Sequence, residues 1–104
     1  MEYNVVLSAQ AQTHFRKIID YLLNELRNQQ AAISVTDDFD DTIARLSRVA
    51  GSLKLCDDSV LRSKGYRTIH FRKHKYLIVY TIDENMAYVE GIYHDLQDYE
   101  GILR

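Results

Sequence analysis

The chain has 104 residues, of which 46% are hydrophobic and 27% are charged, with a net charge of −2 and neither proline nor tryptophan. This composition is typical of one globular domain, covering residues 1–104, with a core of its own. A single cysteine excludes a disulfide framework. No apolar run approaches the roughly 20 residues that span a bilayer, and no signal peptide is recognisable. The sequence therefore predicts a cytoplasmic protein.

The first half of the chain predicts a short strand and two amphipathic helices. Residues 3–7 favour the strand, and Ser8 stands where a helix N-cap is expected. Apolar residues then recur at steps of three and four along two stretches, which the polar residues 27–29 separate. These residues are Ala11, Phe15, Ile18, Leu22 and Leu26, then Ala32, Val35, Phe39, Ile43, Leu46 and Ala50. Gly51 is placed to end the second helix.

Residues 65–94 predict three consecutive antiparallel strands. The segments 66–71, 76–82 and 87–93 are rich in β-branched and aromatic residues, and short polar turns separate them. Because short turns join only antiparallel neighbours, the three strands form a meander. The middle segment is almost wholly apolar, so it is predicted to be covered on both faces.

The remaining segments complete an α+β domain, with the first strand joining an edge of the meander. Residues 53–64 are predicted to form a loop. Asp95 is predicted to cap a short last helix that contains Leu96, Tyr99 and Leu103. The helices need the sheet to cover their apolar faces. The residues predicted to form the core are Phe15, Ile18, Leu22, Phe39, Ile43, Leu46, Ile69, Phe71 and Val79.

One segment of the chain is strongly basic. Residues 62–75 contain six Lys or Arg and no carboxylate, whereas residues 76–104 contain one Arg and six Asp or Glu. Such a segment indicates either an anion-binding surface or a solvated hairpin edge protected by cations. The candidate nucleic-acid-binding residues are Arg62, Lys64, Arg67, Arg72, Lys73, His74 and Lys75.

Strand alternation predicts a group of ionisable side chains on the open face of the sheet. If the helices cover the face with Val89 and Tyr93, four such side chains share the other face. They are His70, Arg72, Glu90 and His94. Imidazoles, a carboxylate and a guanidinium in one groove are suited to acid–base cleavage of a phosphodiester. The alternative is a surface pair between Glu90 and Arg72 with no catalytic role.

Other candidate sites are weaker. The acidic run 37–41 brackets Phe39 on a predicted helix and lacks the Gly and terminal Glu of a calcium loop, so it is predicted to be a solvated face. Cys56 has no second Cys or His at zinc spacing. His14 is predicted to lie on a helix surface. The sequence predicts no metal and no cofactor.

Short sequence patterns follow one another in a fixed order along the chain. They are Val5-x-Leu7-Ser8 with Ala11, Ile19-x-Tyr21-Leu22, Leu61-Arg62 with Gly65-Tyr66-Arg67, the run Tyr76-Leu77-Ile78-Val79-Tyr80, and Val89 with Ile92-Tyr93-His94 and Asp98-Tyr99. Together they resemble the RelE/ParE superfamily of toxins from type II toxin–antitoxin modules. The resemblance implies two helices against a small antiparallel sheet, and a cognate antitoxin that is small, acidic and partly disordered.

The resemblance implies two alternative activities. RelE-like members cut mRNA in the ribosomal A site with basic residues and a terminal Tyr or His, a role for which Tyr93 and His94 are the candidates here. ParE-like members instead poison DNA gyrase. Leu77 stands where the nucleases usually have an Arg, and residues 95–97 lack the second Arg that often follows the last strand. A third alternative is a member that only binds its antitoxin. The predicted targets are thus the ribosome with its mRNA, or DNA gyrase, and no membrane.

Overall fold

The computed structural model of the chain describes residues 2–104 as two long helices packed on a four-stranded sheet. The elements are β1 (Asn4–Leu7), α1 (Ala9–Asp20), α2 (Gln29–Val49), α3 (Ser59–Ser63), β2 (Arg67–His70), β3 (Tyr76–Asp83), β4 (Met86–His94) and α4 (Tyr99–Leu103). The predicted α+β class and element order are confirmed. Within residues 2–104, every helix is too short or too polar to cross a membrane.

The sheet has the strand order β1-β4-β3-β2. Antiparallel pairs join β2 to β3 and β3 to β4, as predicted for the meander. β1 joins the meander at its β4 edge, with Val5 opposite Ala87. This last pair is parallel, which is possible because a long connection, from α1 through β3, links the two strands.

Local signals fix the helical hairpin. The Ser8 hydroxyl accepts a hydrogen bond from the Ala11 amide and caps α1. α1 continues into one wider π-helical turn at Tyr21–Glu25. Arg27, at a φ of 48°, then reverses the chain, and the Asn28 side chain caps α2. The polar residues 27–29 thus separate the two helices, as the sequence predicted.

Three predicted boundaries differ from the structure. Gly51 does not end α2 in a left-handed conformation, because it lies inside a 3₁₀ turn at Ala50–Ser52 that continues the helix. The predicted loop at 53–64 contains α3. The last helix is capped by Asp98 rather than Asp95. Leu96 therefore lies outside that helix and is 87% exposed.

The core has two parts on opposite faces of the sheet. The larger part lies between the helices and the sheet and includes Leu46, Ile78 and Tyr80. The smaller part contains Leu77, Val79 and Tyr93, which Tyr66, Tyr99 and Leu103 cover from the other side. Of the residues predicted to be core, five are buried and four are partly buried against the larger cluster. The buried ones are Leu22, Leu46, Ile69, Phe71 and Val79, and the others are Phe15, Ile18, Phe39 and Ile43.

Leu22 and Leu26 offer a matched test of the helix packing. Leu22 is buried, whereas Leu26, one turn further along, is 54% exposed. We expect Leu22→Ala to lower the free energy of unfolding by about 2 kcal/mol. The value is moderate because Leu22 lies near the tip of the hairpin, where neighbouring side chains can partly fill the cavity. Leu26→Ala should change it by less than about 0.5 kcal/mol. Urea denaturation of both variants measures the difference, and equal effects would contradict the observed packing.

Candidate functional site

β4 changes the face that its side chains occupy halfway along its length. Val79 pairs with Gly91 whereas Tyr80 pairs with Val89, so Glu90 is the extra residue of a β-bulge. Val89 points into the helix-covered core, but Tyr93 lies on the opposite face. The prediction that Val89 and Tyr93 share one face is therefore wrong, because alternation does not continue through the bulge.

The bulge separates the two histidines that were predicted to share a groove. His94 pairs with Tyr76 on the helix side of the sheet, and the two ring centroids are 5.3 Å apart. His70 pairs with Leu77 and lies on the other face, beside a cavity of about 390 Å³ that Thr68 and Cys56 also line. The prediction of one open face containing both His70 and His94 is wrong.

The other predicted catalytic residues have separate local contacts. The Glu90 carboxylate accepts a hydrogen bond from the Thr81 hydroxyl at 3.2 Å. Arg72 Nε lies 3.6 Å from an Asp41 carboxylate oxygen. Tyr93 is buried under Tyr99, with ring centroids 6.2 Å apart. The structure therefore does not bring these residues together with the histidines, and a catalytic role for any of them remains a prediction.

His94 is held by the turn that follows β4. Its Nδ1 atom accepts a hydrogen bond from the Leu96 amide at 3.1 Å and lies 3.3 Å from an Asp95 carboxylate oxygen. Its own amide donates to the Gln97 side chain at 2.7 Å. One ring nitrogen is thus committed to the turn, and only Nε2 is left for contact with another molecule.

Much of the basic segment ties the loops to the sheet. Arg62 donates to the carbonyls of Cys56 and Asp57, Lys64 donates to Leu103, and Arg67 donates to Leu53. Among the basic side chains of this segment, Arg72 and His74 also have partners, whereas Lys73, Lys75 and His70 make no hydrogen bond or ion pair with the described residues. Within residues 62–75, the exposed positive charge that is free to meet an anion therefore lies in the turn between β2 and β3.

A buried carboxylate, Asp38, holds that turn. Asp38 is 3% exposed and lies on α2. It accepts hydrogen bonds from the amides of Arg72 and Lys73 at 3.2 and 2.8 Å, and from Nδ1 of His74 at 2.8 Å. The other ring nitrogen of His74 lies 3.3 Å from the Ser34 hydroxyl. The turn that presents the free lysines is thus fixed to α2, with Asp38 making three of the hydrogen bonds.

The electrostatics of Asp38 follow from these bonds. Burial alone would raise its pKa, but the hydrogen bonds from His74 and from the two amides outweigh burial, so the pKa of Asp38 lies below its ordinary value. The acidic run 37–41 was predicted to be a solvated face, and for Asp38 this prediction is wrong because its side chain is buried. The available signal was spacing, since Asp38 falls three residues after Val35 and four before Thr42, both of which are buried.

The order Ser34, His74 and Asp38 has the hydrogen-bonding pattern of a catalytic triad, but its setting differs. Ser34 lies inside α2, where the neighbouring amides are bonded within the helix and cannot stabilise an oxyanion. The arrangement therefore orients the His74 ring and the turn. In residues 2–104, no group of three or more His, Cys, Asp or Glu is placed to bind a metal.

The tip of the helical hairpin exposes an apolar surface. Four large side chains there are 40–54% exposed. They are Tyr21, Leu23, Leu26 and Ile33. An open groove of about 290 Å³ passes between the helices and is lined by Leu23, Ala32 and Ile33, with Asp37 at its border. Contiguous exposed apolar side chains of this kind usually mark a contact surface for another protein.

Comparison with known proteins agrees with this architecture. A family profile described as "ParE toxin of type II toxin-antitoxin system, parDE" matches residues 5–99. A solved structure described as "Chromosomal ParDE TA system from P. aeruginosa" contains a chain that superposes with a TM-score of 0.73 at 15% identity. The match covers 89% of this chain and 96% of that one. No curated protein sequence matches.

Proposed function

Because the chain belongs to the ParE toxin family of type II toxin–antitoxin systems, we propose that it inhibits growth by binding DNA gyrase and that a cognate antitoxin neutralises it. A nuclease needs an acid, a base and a cation around one scissile bond. The observation that favours gyrase binding over nuclease activity is the separation of His70 and His94 on opposite faces of the sheet.

The contacts of Arg72 also favour inhibition by binding to a target protein over cleavage of RNA. Its backbone amide is bonded to Asp38, and its guanidinium lies beside Asp41. A carboxylate at this distance offsets the charge that a phosphate in the transition state would need. The second candidate, cleavage of mRNA, has one supporting feature, which is the oriented His74 ring between the free lysines Lys73 and Lys75.

The proposed antitoxin is a small, acidic and partly disordered protein. The groove at the hairpin tip suits the apolar face of a helix that forms on binding. Acidic side chains of the same partner would neutralise Lys73 and Lys75. A bound antitoxin would thus cover both the apolar surface at the hairpin tip and the cationic turn.

The test is to induce the chain alone in bacteria and to follow DNA supercoiling and protein synthesis in the same culture. We expect supercoiling to change first, while protein synthesis continues. His94→Gln and Arg72→Ala should remain toxic, since neither side chain belongs to an assembled catalytic groove. Co-expression of the protein encoded by the neighbouring small reading frame should restore growth.

Three other outcomes would contradict the proposal. An early stop of protein synthesis, with toxicity reduced by about 10²–10⁴-fold in His94→Gln or His74→Gln, would instead indicate acid–base cleavage of RNA. Normal growth despite accumulation of the folded chain would indicate a member that only binds its antitoxin. Growth arrest that the neighbouring protein does not relieve would contradict the proposed partner.

A further inference from the structure

The free edges of the sheet are covered at β2 and along the second half of β4. Beside β2, the Cys56 amide donates to the Tyr66 carbonyl at 2.9 Å. Beyond the end of β1, the Ile92 amide of β4 donates to His14 Nδ1 at 3.1 Å. His14 was predicted to lie on a helix surface, but it is partly buried against this edge. Proteins commonly cover edge strands in this way, which prevents their pairing with other chains.

The outer edge of β1 has no such cover. The Asn4 amide donates to the Asn85 carbonyl at 2.8 Å, so the even-numbered residues of β1 direct their backbone groups towards β4. The backbone groups of Val5 and Leu7 therefore point away from the sheet. Gln12 donates to the Leu7 carbonyl at 3.3 Å, which leaves one lone pair of that oxygen free. The Val5 amide, the Val5 carbonyl and the Leu7 amide have no partner within residues 2–104.

The side chains along this edge carry no charge that would repel a second strand. Residues 3–8 contain no Lys, Arg, Asp or Glu, although charged side chains are a usual protection of an exposed edge. Val6 is 41% exposed on the face away from the long helices, and Tyr88 beside it is 37% exposed. The edge thus combines unsatisfied backbone groups with an apolar surface on one face.

We propose that two copies of the free chain pair through this edge, antiparallel and about a two-fold axis at Val6. In this register, Val5 of one protomer lies opposite Leu7 of its partner, and the symmetric pair repeats the contact. Each of these pairs exchanges two N–H···O bonds, so every bare group on both edges is satisfied. The inference goes beyond the proposed function, since it concerns the free chain and requires neither gyrase nor an antitoxin.

Neighbouring registers would use fewer of the bare groups. A pair centred on Val5 would place Leu7 opposite Tyr3, whose amide is already bonded to α2. A pair centred on Leu7 would reach into α1, where the strand has ended. The register centred on Val6 is the one that matches the two outward residues with each other.

The side chains near the axis fit this pairing. The two Val6 side chains would face each other in a pair without hydrogen bonds, in which facing side chains are closest. Tyr88 of each protomer would flank them on the same face. Arg48 is exposed and follows the residue that accepts from the Tyr3 amide, so the two copies of it would lie at opposite ends of the paired edges. The small contact predicts a dimer that dissociates on dilution.

Two variants at Val6 test the register. Val6→Lys and Val6→Asp each place like charges opposite each other at the axis, which disfavours pairing. We expect sedimentation of the purified wild-type chain to show a monomer–dimer equilibrium, and each variant alone to dimerise at least about tenfold more weakly. An equimolar mixture of the two variants should recover dimers, because opposite charges then meet. Val60→Lys is the control, since Val60 lies on α3 with a similar exposure of 40%, and it should dimerise like the wild type.

Hydrogen exchange gives an independent readout that needs no variant. When the concentration of the wild-type chain is raised, the Val5 and Leu7 amides should exchange at least about tenfold more slowly. The Ser8 amide is already bonded to β4, so its exchange should not change.

Several outcomes would overturn the inference. They are a wild-type chain that stays monomeric at every concentration, dimers that Val6→Lys does not weaken, a mixture of the two variants that stays monomeric, and unchanged exchange at both outward amides. Loss of dimers in Val60→Lys would place the contact at α3 and would also overturn it. All of these outcomes leave the proposed function intact, because that function is tested by supercoiling in bacteria.

Discussion

Replacing Asp38 with Ala is expected to lower the free energy of unfolding by about 3 kcal/mol. The carboxylate is buried and accepts from two amides and from the His74 ring. Its removal leaves those donors without a partner in a partly buried turn, which costs more than the loss of one exposed hydrogen bond. Asp37→Ala, in the same acidic run but exposed, should cost less than about 0.5 kcal/mol. Chemical denaturation measures both changes. Similar values would contradict the conclusion that Asp38 holds the turn between β2 and β3.

The same carboxylate predicts a pH dependence. Because the pKa of Asp38 is lower in the folded chain than its ordinary value of 3.8, its contribution to stability is complete well above that value. The contribution disappears as the pH falls through the folded-state pKa. The difference in unfolding free energy between the wild-type chain and Asp38→Asn should therefore shrink as the pH is lowered from 6 towards 3. A constant difference across this range would show that the charge of Asp38 is not what holds the turn.

Replacing Gly91 with Ala is expected to lower the free energy of unfolding by about 2–3 kcal/mol, as overpacking does. An added Cβ would lie 2.7–3.0 Å from the ring atoms of Tyr93, which folds back over the glycine. Tyr93 is buried and cannot move aside without disturbing the cover that Tyr99 provides. Thermal or urea denaturation provides the measurement.

Two variants of Tyr93 serve as controls for this effect. The Tyr93 hydroxyl is buried and has no hydrogen-bond partner in the described part of the chain, so Tyr93→Phe should be at least as stable as the wild type. In a Tyr93→Leu background the ring is absent, and Gly91→Ala should then cost much less than it does alone. If the costs of Gly91→Ala and Tyr93→Leu simply add in the double variant, the destabilisation by Gly91→Ala does not come from contact with the Tyr93 ring.

The sequence was sufficient to predict the helices and strands in which apolar residues recur at regular spacing. The apolar stripes of α1 and α2, the polar turn between them and the three-strand meander all follow from side-chain spacing. The prediction that β1 joins an edge of the meander is also confirmed. The parallel direction of β1 was not predicted, because that depends on the long connection between β1 and β4.

The candidate site was predicted less well, because it depended on one irregular residue. Every statement about which side chains share a face assumed unbroken alternation through β4, and the extra residue at Glu90 reverses that order for His94. The glycine at 91 was the available signal, since a glycine inside a strand often accompanies a bulge. Asp38 was missed for a different reason. The run of four aspartates around Phe39 favoured a solvated face, although the spacing of Asp38 from Val35 places it on the buried side of α2.

The parallel pairing of β1 with β4 has a consequence for the synthesis of the chain. Ser8 and Glu90, which meet where the two strands join, are 82 positions apart in sequence. Contacts of such long range form late, because a large loop must close before they contribute stability. β1 is synthesised before β4 and can pair only when β4 is available. A nascent chain that lacks β4 exposes the apolar sides of Val5, Leu7 and both helices, so it is a substrate for chaperones and proteases. The ParE fold thus becomes complete only after β4 has been synthesised.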